Sequence, residues 1–209
     1  MNRGVPQGSK LGLLLFALFI NDLPNCLSVD SYHLYADDFQ FWFSFDPQSF
    51  KQAIDLVNNN LSLINSWAKL NELSLNPKKS LAIVIHKARQ KIHRLPPISL
   101  NGEIIPYVDH TRNLGLVINS HLDWSDHVAK ICQLVNFTLR SLRVFGRLVP
   151  QDTRLLLVKA LIIPHFSYCD VVFSNDINVA SRQRLSVTFN NYIRYIYSLL
   201  PWDHVSRIS

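Results

Sequence analysis

The sequence predicts an α+β fold in which residues 1–120 mix strands with helices and residues 121–209 are helical. Three observations carry this. The runs Tyr32-His33-Leu34-Tyr35-Ala36 and Phe39-Gln40-Phe41-Trp42-Phe43 flank Asp37-Asp38 and read as a β-hairpin turning at the two aspartates. Phe50, Ile54, Val57, Leu61, Ile64 and Ala68 recur at spacings of 3 and 4, one apolar face of an amphipathic helix that would pack on a sheet. Past Trp124 the spacing is helical throughout, with Val128, Ile131, Val135, Leu139 and Leu142 on one face.

The other elements follow in chain order. Gly4-Val5-Pro6-Gln7-Gly8-Ser9 is a loop ending on a helix cap, Ser9. Residues 10–20 form an apolar helix that stops near Pro24. This run is about half the length a bilayer span requires, and no small-residue cleavage site follows, so it reads as a buried helix. Asp46-Pro47, a cap followed by proline, starts the amphipathic helix. Residues 81–86 are rich in β-branched and apolar side chains and predict a strand. Residues 96–107 predict a second hairpin turning at Asn101-Gly102, and residues 113–118 one further strand. A helix over 152–163 is closed by Pro164, and a last one over 181–200 by Pro201. Arg140, Arg143 and Arg147 share a second face of the helix after Trp124.

Composition narrows the function classes. Hydrophobic residues make up 48% of the 209, enough for a packed core and too many for wholesale disorder. The net charge of +6 is uneven: residues 1–87 hold 7 Lys/Arg and 7 Asp/Glu, whereas residues 88–209 hold 14 and 8. A neutral half joined to a basic half suggests a catalytic or scaffold part beside a part that binds polyanions. Cys26, Cys132 and Cys169 are far apart and form no CxxC, which argues against a disulfide partner or a zinc site. No membrane partner is expected.

Adjacent carboxylates at a hairpin tip repel each other until a cation neutralises them. Magnesium suits such a pair, because it takes a few carboxylate oxygens together with water and substrate phosphate. Two such ions can activate an attacking hydroxyl and stabilise a leaving oxygen in phosphoryl transfer.

An ordered series of motifs resembles the non-LTR retrotransposon (LINE or jockey-like) reverse transcriptases. Gly4-Val5-Pro6-Gln7-Gly8-Ser9, Leu15-Phe16 and Ile20-Asn21-Asp22-Leu23-Pro24 are similar to the palm motif upstream of the catalytic hairpin, and Tyr35-Ala36-Asp37-Asp38 to the hairpin itself. Asn65-Ser66-Trp67 and Leu75-Asn76-Pro77-Lys78-Lys79-Ser80 resemble the next helix and its lysine motif. Leu114-Gly115-Leu116, Leu122-Asp123-Trp124 and His127 resemble the segment leading into the thumb. The resemblance covers nearly the whole chain, in order.

It implies a partial right-hand polymerase: a truncated palm over residues 1–120 with an antiparallel sheet, and a helical thumb or connection over 121–209. The implied reaction is RNA-templated addition of deoxynucleotides to a DNA primer with two Mg2+ ions. Asp37 and Asp38 would be metal ligands and catalytic, Lys79 a proton donor near the nucleotide phosphates, and Gln7, Gly8 and Tyr35 nucleotide-binding. Arg140, Arg143 and Arg147 would contact primer–template phosphates, unless they are simply a solvated face. Phe39 departs from the smaller polar residue usual after the aspartates and either crowds the turn or is harmless there. His127 and His204 read as helix-surface or capping residues rather than ligands.

The third carboxylate of the family lies upstream of the Pro-Gln-Gly loop, and Met1 is three residues before Gly4. The expectation is therefore a fragment without that strand and without the fingers, inactive alone. The alternative is a non-catalytic nucleic-acid-binding remnant that uses the basic helical half. The family's life cycle implies an intracellular protein with access to the nucleus.

Overall fold

The structure is a computed structural model that describes residues 9, 11–86, 95–146, 148–200 and 202–205. Gln7, Gly8 and Arg147 lie outside the described residues. The fold is α+β. The chain divides into two compact units, Met1–Ala82 with Lys91–Tyr107 and Ile83–Gln90 with Val108–Ser209. The division in the second half falls at Tyr107 rather than at 120, because the hairpin over 110–119 packs with the helix that follows it.

The first unit holds α1 (Gly12–Phe19), β1 (Tyr32–Tyr35), β2 (Asp38–Phe41), α2 (Phe50–Leu70), β3 (Ile98–Leu100) and β4 (Glu103–Ile105). Helix α2 starts as the sequence predicts. The Asp46 carboxylate accepts from the Gln48 N–H at 2.8 Å, and Pro47 opens a single 3₁₀ turn before the helix. Its apolar face does pack on a sheet: Ile54 is buried with Ile98, Leu100 and Ile105 of the β3–β4 hairpin, and Phe50, Val57 and Leu61 pack around them. That hairpin turns at Asn101 (φ 54) and Gly102 (φ 81), both in the left-handed region that a tight two-residue turn requires.

Three expectations for this unit are corrected. Helix α1 is not buried: Leu13 is 77% exposed, and Leu11, Leu14, Leu15, Leu18 and Phe19 are exposed too. It is apolar on all faces, so it has no polar side to turn outward, and the anchoring contacts come after it, where Ile20 and Leu23 are buried. Residues 81–86 form no strand. Ala82 makes one parallel bridge to Tyr107, and its N–H donates to the Pro106 carbonyl at 3.0 Å. The antiparallel sheet is three separate two-stranded sheets among the described residues, divided between the two units.

The second unit holds β5 (His110–Asn113), β6 (Leu116–Asn119), α3 (Ser125–Val144), α4 (Gln151–Leu161), α5 (Ile163–Ser167), α6 (Asp170–Phe173) and α7 (Val179–Tyr197). Where one strand was expected over 113–118 there is a hairpin turning at Leu114 (φ 44) and Gly115 (φ 91). Strand β5, His-Thr-Arg-Asn, carries no apolar alternation to announce it. The predicted face of α3 is the core: Val128, Ile131, Val135 and Leu139 are buried, the last three with Val158, Ile162, Phe173, Tyr192, Tyr195 and Ile196. Each fully buried aliphatic side chain contributes about 1.5–3 kcal/mol. Burial pushes the Tyr192 hydroxyl up to about 12, so it stays neutral.

Pro164 does not end a helix. It sits in the first turn of α5, where its missing N–H is no loss. The stretch Gln151–Phe173 is long and apolar enough to cross a membrane by length and composition alone. It is broken into α4, α5 and α6, with Cys169 left-handed at φ 55, and it buries Val158, Ile162 and Phe173 in the helical core. Helix α7 starts on the Asn178 side chain, which accepts from Ser181 N–H at 2.8 Å. It ends at left-handed Ser198, with the Leu199 N–H returning to the Arg194 carbonyl.

Candidate active site at the aspartate hairpin

Strands β1 and β2 pair antiparallel, with Tyr32 opposite Phe41, Leu34 opposite Phe39 and Tyr35 opposite Asp38. The turn is therefore Ala36-Asp37, one residue earlier than expected, and Asp38 is the first residue of β2. The positive φ of the turn falls on Ala36, at 51°. A left-handed residue with a Cβ costs roughly 1–2 kcal/mol, and alanine is the smallest side chain that bears one.

Alternation along the strands sorts the side chains. Tyr32, Leu34, Phe39 and Phe41 share one face; His33, Tyr35, Asp38 and Gln40 share the other. Phe39 stacks on Tyr32 with ring centroids 6.4 Å apart and lies 6.3 Å from Phe41. It therefore does not crowd the turn, but forms the apolar face that leaves Asp38 and Tyr35 together on the opposite side. Tyr35, Asp37 and Asp38 are all exposed.

The ribbon's principal contacts are within itself. Its approach is held from α2 by Asn60, which the sequence reading missed. This side chain is fully buried. Its amide oxygen accepts from the Ser28 N–H at 2.8 Å and from Ser28 Oγ at 3.1 Å, and its Nδ2 donates to the Leu56 carbonyl at 2.9 Å. Two residues away, Asn58 clamps β3 by accepting from Ser99 N–H at 2.9 Å and donating to Pro97 O at 3.3 Å. The run Asn58-Asn59-Asn60, in the middle of an amphipathic helix, was the available signal.

Lys79 is exposed on a short 3₁₀ turn, Pro77–Lys79, capped by Asn76, whose side chain accepts from Lys78 N–H at 3.1 Å. That turn packs against β4, and no ion pair joins Lys79 to either aspartate among the described residues. The register places Tyr35 directly opposite Asp38. Asp37 and Asp38 are adjacent, exposed hard oxygen donors, a set that fits Mg2+ with water and phosphate completing its shell. Among the described residues no group of three or more His, Cys, Asp or Glu converges into a closed metal cage.

On the helical unit, Arg140 and Arg143 are exposed on α3. Arg143 reaches α7, donating to the Asn191 carbonyl at 3.4 Å. His127 is not a surface residue. It is 5% exposed, packs edge-on against Phe173 at 4.9 Å, and its Nδ1 accepts from the Val117 N–H at 3.3 Å. Burial, helped by the Lys130 charge, holds its pKa below the usual histidine range. Asp123 is held below the usual carboxylate range by bonds from Asn119 Nδ2 at 2.7 Å and from Ser125 N and Oγ at 3.0 and 2.7 Å, which fix the start of α3.

Residues 1–118 match the family described as reverse transcriptase (RNA-dependent DNA polymerase), and the chain belongs to that family. Its relatives place it on the non-LTR retrotransposon branch. It is 24% identical to the RNA-directed DNA polymerase from mobile element jockey of Drosophila funebris, over 88% of this chain and 20% of that one. It is 29% identical to the probable RNA-directed DNA polymerase from transposon BS of Drosophila melanogaster, over 61% and 15%. A Pol polyprotein of a type-1 retrotransposable element from Bradysia coprophila is 28% identical over 97% and 22%. The chain thus spans about a fifth of the length of these relatives, or less. No solved structure matches it.

Proposed function

We propose that this chain supplies the aspartate hairpin and the thumb-like helices of an RNA-directed DNA polymerase. The reaction is addition of deoxynucleotides to a DNA primer on an RNA template. The observation that carries the reading is the β1–β2 ribbon, which presents Asp37 and Asp38 side by side and exposed, within the stretch that matches the family.

In this reading Asp37 and Asp38 hold Mg2+, which when bound draws together the primer hydroxyl and the nucleotide phosphates and offsets their charge. Tyr35, across the ribbon from Asp38, binds the nucleotide together with Gln7 and Gly8, a role carried by their motif in the family-matched stretch. Lys79, exposed on its turn, contacts the nucleotide phosphates and protonates the departing pyrophosphate. Arg140 and Arg143 contact duplex phosphates, which positions the duplex without reading its sequence.

With two carboxylates at the tip, extension by the chain alone is expected to be weak or absent, so metal binding is the sharper test. Mn2+ should broaden the amide signals of residues 36–38, and Asp37→Ala with Asp38→Ala should abolish the broadening. Broadening that survives the double substitution would overturn the assignment.

A second reading, a non-catalytic nucleic-acid binder, is favoured by one observation: the whole +6 charge lies in residues 88–209. It predicts duplex binding that weakens steeply with salt and is indifferent to the aspartates.

A further inference from the structure

Helices α3, α4 and α7 enclose a cleft of about 450 Å³ outside the family-matched residues. Arg143 comes from α3, Arg154 from α4 and Arg194 from α7, and no Asp or Glu lines the cleft. Three cations gathered without a counter-charge in the cleft lining repel one another, and an anion bound among them would relieve the repulsion.

Hydrogen bonding at the cleft is left incomplete in a consistent direction. Arg154 donates to the Tyr195 carbonyl at 3.0 Å and to Ser198 Oγ, and Arg194 to the Asp203 carbonyl at 3.3 Å. Arg154 Nε, Arg194 Nε and the Tyr195 hydroxyl are nevertheless buried without a partner. These are three of the five such side-chain atoms among the described residues, and all three belong to residues lining this one cleft. Buried polar groups are ordinarily satisfied, and all three here can donate. Burial pushes the Tyr195 hydroxyl up, so it keeps its proton. Asp203, the acidic side chain nearest Arg194 in sequence, is engaged elsewhere, accepting from the Leu200 N–H at 2.7 Å, and Asp152, two residues before Arg154, does not line the cleft.

We propose that this cleft is a phosphate-binding site, with the Arg143, Arg154 and Arg194 guanidinium groups and the Tyr195 hydroxyl directed to one phosphate group. Guanidinium is the planar, permanently charged donor suited to phosphate oxygens. The phosphate is one of a nucleic-acid backbone; that source rests on the polymerase reading, whereas the phosphate chemistry does not. The site differs from the sequence-predicted stripe on a single helix, because its three arginines come from three helices.

The test uses the full chain and the double variant Arg143→Gln, Arg194→Gln, which leaves Arg154 on the end of α7. Lys51→Gln, Lys69→Gln removes the same charge from exposed positions of the other unit and serves as control. Circular dichroism checks that each variant is folded. Inorganic phosphate should raise the melting temperature of the parent and the control above that in chloride of equal ionic strength, and should not raise that of the arginine variant. On a labelled RNA–DNA primer–template, the slope of log binding constant against log salt should become shallower by roughly 1 in the arginine variant, since one phosphate contact is lost. A lost phosphate response with an unchanged duplex slope would keep the site and assign it to free phosphate or nucleotide. A changed duplex slope alone would assign it to backbone phosphate. Both readouts unchanged in a folded variant would overturn the proposal. The Mn2+ experiment on the aspartates is independent, so failure of the polymerase reading shows up separately.

Discussion

Hairpins β1–β2 and β5–β6 have the same size, two four-residue strands joined by a two-residue turn, and opposite surroundings. The first ends in exposed Asp37 and Asp38 and is held at its approach through Asn60 and Ser28. The second is covered at its tip: Tyr168 Oη donates to the Leu114 carbonyl at 2.6 Å, and a Cβ on Gly115 would come within 3.0 Å of the Tyr168 ring. Its second strand is tied to α3 by His127. One hairpin leaves its tip exposed and the other gives its tip up to packing. The same local geometry is thus left accessible or built into the fold according to what the rest of the chain places against it.

If that contrast is right, substitutions at the two tips must separate activity from stability. The largest effect should come from Asp37→Ala with Asp38→Ala, measured in a chimera that carries this chain in place of the matching segment of a full-length relative. Primer extension should fall at least ~100-fold, by loss of metal-ligand electrostatics. Urea unfolding of the same double variant should move by no more than about 0.5 kcal/mol, as for other exposed positions. A large loss of stability would show that the open tip is not open.

Asn60→Ala comes next. It removes a fully buried side chain that accepts from Ser28 and donates to the Leu56 carbonyl and should cost about 2–3 kcal/mol in urea unfolding. Hydrogen exchange should quicken across residues 28–41 ahead of the rest of the unit; uniform quickening would break the claim that the approach is the ribbon's anchor. Gly115→Ala should cost about 2 kcal/mol, since alanine is strained at φ 91 and meets Tyr168. The same unfolding experiment checks it in a Tyr168→Ala background, which removes the ring: a Gly115→Ala loss there of more than half its original size would put the cost in the backbone rather than in the ring.

The smallest effect is a pH dependence. The folded pKa of His127 lies below its ordinary 6.5, so the unfolded chain binds the proton more readily. Its contribution is complete above 6.5 and is lost as pH falls through and below that value. Asp123 acts in the same direction but only below its ordinary 3.8. Unfolding free energies at pH 7.5 and 5.5 should therefore differ more for the parent than for His127→Phe. Equal differences would remove His127 from the second hairpin's fastening.

How much could be read beforehand follows from the range of each interaction. Helix α2, the core face of α3 and the Asn101-Gly102 turn were legible because periodicity and turn chemistry are local. The aspartate hairpin was legible too, with an error of one residue in its turn, because neither Ala36 nor Asp37 is a glycine that would fix the left-handed position. Strand β5 was not, since His110-Thr111-Arg112-Asn113 offers no alternation. Asn60, His127 and the arginine cleft were out of reach for a different reason. Each depends on partners 10 to 48 residues away, on several helices at once in the case of the cleft, and a single-helix reading assigns Arg143 to a surface stripe instead.

The Tyr168 bond has a further consequence, for the order in which the chain folds. Its two ends are 54 residues apart, so completing the β5–β6 tip requires closing that loop. The entropy of such a closure is on the order of 3.5 kcal/mol from its length alone. During synthesis the hairpin would emerge well before the tyrosine that seals it. Until α5 arrives, Leu114 and Gly115 are held by the turn alone, and this unit reaches its final rate of unfolding only when its last third has been made.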